Sequence, residues 1–162
     1  MQTEHSALAE IFDTDAARRF CVTEPKNWPA LSVKQPWAAL IAAGLKTIEV
    51  RTWATRLRGP VLIHAAKIPD NRPEAWAWIK SPALAEACDW RGGIVAIADL
   101  VDCVDYRSAE QFHGDRRHHC NESAWFRSPV MYGFEFANVR PVNFVPLKGQ
   151  TLFFTVKGFT PS

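Results

Sequence analysis

The sequence has no apolar run approaching the roughly 18–20 residues that a membrane helix needs, which argues against a helical span. Its beginning, MQTEHSALAEIFDTDAARRF, carries acids early and has no basic stretch leading into an apolar one, so a secretory signal is not expected. Cys21, Cys88, Cys103 and Cys120 are far apart and form no CxxC pair, a pattern that reads as reduced thiols in a cytoplasmic protein. There is no Rossmann glycine fingerprint, no internal repeat and no low-complexity tract. A net charge of only +2 gives no global signature of a nucleic-acid binder.

What the chain does have is local. Its 162 residues, 48% hydrophobic and 22% charged, suit one globular core. Between Lys34 and Lys67 the basic residues are Lys34, Lys46, Arg51, Arg56, Arg58 and Lys67, with Glu49 the only acid. The stretch LSVKQPWAALIAAGLKTIEVRTW, Leu31–Trp53, is the most informative part of this region. Leu31–Val33 reads as a short strand. Pro36 suits the first turn of a helix, and Trp37, Leu40 and Ile41 give its apolar stripe. Gly44 can supply a left-handed cap. In Lys46–Trp53, Ile48 and Val50 point to the core, while Thr47, Glu49, Arg51 and Trp53 point the other way.

Further along, Glu24 to Pro29 reads as a connector because proline restricts itself and its predecessor. Residues 1–20 have helical spacing at Leu8, Ile11 and Phe12, which makes 1–28 a helical extension and 29–162 the domain proper. Val61–Ala66 is an apolar strand, and proline-started helices are expected at Pro73–Ile79 and Pro82–Cys88. Ile94–Val104, Met131–Val142 and Leu152–Val156 are further strands. Tyr106–Pro129 reads as a long polar loop with a short helix. The total is five or six strands and about four helices in a curved mixed sheet or partly closed barrel.

These motifs carry a resemblance. LSVKQPWAALIAAGLKTIEVRTW, RGPVLIHAAK, GGIVAIADLVDCV, YGFEFANVRPV and PLKGQTLFF together resemble the ASCH domain, the activating signal cointegrator homology family. The resemblance spans about Leu31 to Val156. It implies an α+β, PUA-like small β-barrel with surrounding helices and a cleft beside the GLKTIEVRTW strand. It also implies binding of single-stranded RNA or a nucleotide, since family members are generally thought to bind RNA and some relatives are hydrolases or nucleases.

On that basis the candidate binding residues are Lys34, Trp37, Lys46, Glu49, Arg51, Trp53, His64 and Lys67. The cations would meet phosphates, and Trp37, Trp53 and Tyr132 would offer faces to bases. For Trp37 the apolar stripe favours core packing, and for His64 a hydrogen-bonded structural role is favoured over catalysis. Glu49 and Arg51, two apart on one strand face, form either an ion pair or a base-reading pair. If the protein is an enzyme, Lys46 and Glu49 are its candidate catalytic residues, in a ribonuclease or a nucleoside amidohydrolase. Small ASCH-like amidohydrolases have a threonine nucleophile three residues after the lysine. Here that position is Glu49, and a carboxylate does not replace a hydroxyl in that role, which leaves a general-base reaction. A protein-interaction adaptor is a weaker alternative. His113, His118, His119 and Cys120 lack the spacing of a metal site, and with Arg116 and Arg117 they read as a basic loop touching phosphate. Neither a metal nor a cofactor is expected.

Overall fold

The computed structural model describes residues 26–162, so the expected helix in residues 1–20 lies outside the described residues. Six strands, β1 (Lys26–Val33), β2 (Ile48–Arg51), β3 (Gly59–Ala65), β4 (Gly93–Tyr106), β5 (Met131–Pro146) and β6 (Phe153–Phe159), form one mixed sheet in the order β2-β5-β4-β3-β1-β6. Among the described residues only β1 and β3 pair in parallel. Among the described residues, five short helices accompany the sheet: α1 (Trp37–Ala42), α2 (Pro73–Trp76), α3 (Pro82–Ala87), α4 (Ala109–Gly114) and α5 (Arg116–His119), with a 3-10 turn at Ser123–Trp125.

The backbone ladder does not close into a barrel, because β2 and β6 are its two ends. Side chains draw those ends together. Trp53, just past β2, meets Phe153 at the start of β6 with ring centroids 5.4 Å apart. Arg51 Nη2 donates to the carbonyl of Ser32 on β1 at 2.8 Å. The result is an open, curled sheet of PUA-like type.

Local chemistry explains the elements nearest the cleft. α1 has Pro36 at its N-cap position, one residue before its first turn. Buried Gln35 supplies the missing acceptor, taking the Ala39 N–H on Oε1 at 2.9 Å. Its Nε2 donates to the carbonyls of Ala87 and Trp90, which ties α1 to the end of α3. Gly44, with φ +72, then ends α1. Its N–H meets the Ile41 carbonyl and the Leu45 N–H meets the Leu40 carbonyl, each at 2.9 Å, the two bonds of a Schellman cap. Burial of Trp37 through Ile41 fixes α1 against one face of the sheet.

Two segments differ from expectation. The connector around Pro29 is strand: β1 begins at Lys26 and pairs with β6 through Trp28 and Pro29. Its pairing with β3 starts only at Ala30, so the proline sits where the strand has one neighbour and its absent N–H costs no ladder bond. Tyr106–Pro129 is not a loop with one helix but α4, α5 and the 3-10 turn, anchored by buried Phe112 and His119. The His119 ring stacks on Phe112 at 4.1 Å and satisfies both its nitrogens locally.

Candidate functional site

A cleft of about 690 Å³ opens beside β2, between the end of that strand and the segment that follows α5. At its floor lies Glu49, only 8% exposed. Its Oε1 is 3.2 Å from Arg51 Nη2 and its Oε2 is 3.3 Å from Lys46 Nζ. Two cations therefore hold one carboxylate in a fixed orientation.

Lys46 departs from its expected place. It reads from sequence as a phosphate contact, yet it is 1% exposed and does not line the cleft. Its ammonium has three protons and three acceptors: the carbonyls of Ile48 at 2.7 Å and His119 at 2.6 Å, and Glu49. The Trp37 ring lies 5.2 Å away. Burial lowers the affinity of this amine for its proton, and Glu49 opposes that shift. Lys46 thus positions Glu49 and joins the β2 lead-in to the end of α5.

The other expected residues divide. Lys34 is exposed and lines the cleft, as do Arg51 and Trp53. Trp53 is held edge-on by Phe134 and Phe153, so much of its ring serves packing. Trp37 is buried in the core cluster, as its helical stripe suggested, and also lines the cleft. Tyr132 does not line it. His64 and Lys67 lie in a neighbouring hollow. His64 is 2% exposed; its Nε2–H donates to the Leu147 carbonyl at 2.7 Å, so Nδ1 accepts from the Ser32 hydroxyl at 2.9 Å. Burial holds it below the usual histidine range, in keeping with a neutral, structural ring. His118 and His119 do not converge on an ion, and no metal-holding group of three ligands occurs among the described residues.

Several lining residues escaped the sequence reading. Asp70, Arg72, Asn121, Trp125 and Arg127 form the opposite wall. The Arg72 guanidinium lies 3.5 Å over the Trp125 ring, and Trp125 stands edge-to-face with Trp37 at 5.8 Å. Asp70, 4% exposed, anchors this group by accepting from Arg72 and from Trp37 Nε1 at 3.0 Å. The Arg72 hydrogen bonds hold its carboxyl well below the ordinary aspartate value of 3.8. A carboxyl whose folded pKa is depressed stabilises the fold fully above its unfolded pKa, and that contribution is lost as pH falls through the folded value. Stability should therefore fall with acidification below about pH 4, and Asp70→Asn should flatten that part of the profile, measured as urea midpoints against pH.

The open, curled α+β sheet with a cleft beside β2 defines a PUA-like protein. Crystal structures of ASCH from Zymomonas mobilis share the fold, at 17% identity and a TM-score of 0.51 over 74% of this chain and 73% of that one. A point mutant of the same protein matches at 16% identity and a TM-score of 0.52, over 74% and 75%. A family model for the ASCH domain matches residues 31–146, and the chain belongs to that family. Activating signal cointegrator 1 of Homo sapiens is 33% identical over 90 residues, and its Mus musculus counterpart is 31% identical over the same length. The match covers 51% of this chain but only 16% of each of those proteins. Among the described residues no helix is long and apolar enough to cross a membrane.

Proposed function

We propose that the cleft binds single-stranded RNA or a nucleotide, with Glu49 reading the base. The observation that carries this is the pairing of a clamped, acceptor-only carboxylate with a guanidinium–indole platform across the same cleft. An ionised carboxylate offers two acceptors side by side, and guanine offers two adjacent donors, N1–H and the 2-amino group, on its Watson–Crick edge. Uracil has one donor between two acceptors, so the same carboxylate disfavours it. A base stacked on Arg72 and Trp125 suits the way proteins hold unpaired bases. Lys34, Arg51 and Arg127 supply positive charge for phosphate.

The binding reading is supported over the hydrolase one by the state of Lys46. It is 1% exposed, does not line the cleft and is turned to two backbone carbonyls and Glu49, so it is out of reach of a leaving group in the cleft. Free Cys88, Cys103 and Cys120 fit a reducing compartment such as the cytoplasm.

The test follows labelled single-stranded RNA by anisotropy and by gel in the same tubes. Expected are intact RNA, binding that weakens steeply with salt, and a preference for guanine over uracil oligomers that Glu49→Gln reduces. Salt-insensitive or absent binding would sink the proposal. Cleavage by the wild type that Glu49→Gln abolishes would instead make it a nuclease.

A further inference from the structure

The second hollow, of about 910 Å³, is not separate from the cleft. Both are lined by Ser32, Lys34, Ala66, Gln150 and Thr151, so the two adjoin along a shared edge and make up one grooved face. The second part carries Lys34, Lys67 and Lys148 and no acid among its lining residues. None of the three lysines is in an ion pair with a described residue. Unneutralised charges of one sign gathered in a concave surface repel one another and are better placed when an anion lies between them.

The hollow is also built. The Leu147 N–H donates to the Gly92 carbonyl at 3.0 Å, and the Leu147 carbonyl accepts from His64, so the residue before Lys148 is pinned on both sides. Gly149 lies so close that a Cβ there would come within 2.5 Å of the His64 ring and 2.9 Å of the Ser32 hydroxyl. Gly92 lies beside Lys67, whose Cβ is 3.9 Å from where a Gly92 side chain would start. Lys67 and Lys148 are therefore presented from an anchored surface rather than from a free loop. Ser32 links the two regions: its carbonyl holds Arg51 in the cleft and its hydroxyl holds His64 beneath the hollow.

The geometry points to a polynucleotide strand as the occupant, with one base in the cleft and the adjoining phosphates laid across Lys34, Lys67 and Lys148. This rests on the cleft holding a base, and it adds that a mononucleotide fills only half of the groove.

The experiment measures binding of a labelled single-stranded RNA octanucleotide between about 50 and about 200 mM NaCl. Four proteins are compared: wild type, Lys67→Ala/Lys148→Ala, the charge-matched Lys80→Ala/Lys157→Ala, and Trp125→Ala. Each phosphate contact on a single strand contributes about 0.7 to the slope of log affinity against log salt. The Lys67/Lys148 variant should therefore lose about 1.4 from the slope, and the charge-matched variant should keep it. Equal slopes for the two lysine variants overturn the proposal. If binding is then still lost in Trp125→Ala, the cleft reading stands and only the extended track fails. No RNA binding by the wild type overturns both. Displacement of RNA by poly-glutamate as readily as by unlabelled RNA also overturns it, since the surface would then be a general receptor for acidic chains.

Discussion

Lys46→Met should be the most destabilising single change in the GLKTIEVRTW motif. The methionine keeps much of the volume but removes the ammonium, leaving Glu49 with one cation in place of two and the Ile48 and His119 carbonyls without their donor. Breaking a buried pair from one side costs about 3–5 kcal/mol, because the remaining charge is left uncompensated away from water. For a chain of this size that corresponds to a fall in Tm of roughly 6–20 °C. The control is a double-mutant cycle. Glu49→Gln removes the stranded charge, so Lys46→Met/Glu49→Gln should lose less stability than the sum of the two single changes. Additive effects, or a neutral Lys46→Met, would mean that the ammonium does not hold the two walls together.

The second large effect concerns ligand rather than stability. Trp125→Ala should weaken single-stranded RNA binding by about 1–3 kcal/mol, roughly 5- to 150-fold, the usual yield of one stacked base. The indole supports Arg72 from below, so its loss removes both the platform and the restraint on the guanidinium. Asp70 still holds Arg72 through several hydrogen bonds, which keeps the charge near the cleft. Trp125→Phe should therefore recover part of the affinity. Thermal unfolding of the same variants separates this from a packing loss against Trp37. A variant that binds as well as the wild type while remaining folded would place the base elsewhere in the groove.

Much of the β2 side of the site was legible from local rules. The Gly44 cap and the apolar stripe of α1 depend on residues within a turn or two of one another, whereas the β2 alternation is less clean: Ile48 and Glu49 are both buried and Val50 lines the cleft beside Glu49. The burial of Lys46 was not legible, because its acceptor on His119 lies 73 residues away and an unpaired lysine looks solvent-exposed in any sequence. The opposite wall was hidden for the same reason. Arg72 sits just before the proline-started helix at Pro73 and Trp125 in the segment expected to be a polar loop with a short helix, and their stacking exists only after the sheet brings them together. His64 carries two expectations from sequence, a binding residue and a hydrogen-bonded structural ring; it is buried with both nitrogens bonded, and the loop it pins could not be seen from its strand. The strand through Pro29 was missed because proline's penalty depends on whether a neighbour is present on that side.

The three-proton anchorage of Lys46 has a further consequence for recognition. The β2 lead-in and the end of α5 cannot part without stripping an ammonium of its carbonyls in a place water does not reach. The floor of the groove is thereby shaped during folding, and its conformational entropy is given up then rather than at the moment of encounter. An incoming strand brings its own flexibility to be lost, but it meets a receptor that has little left to lose.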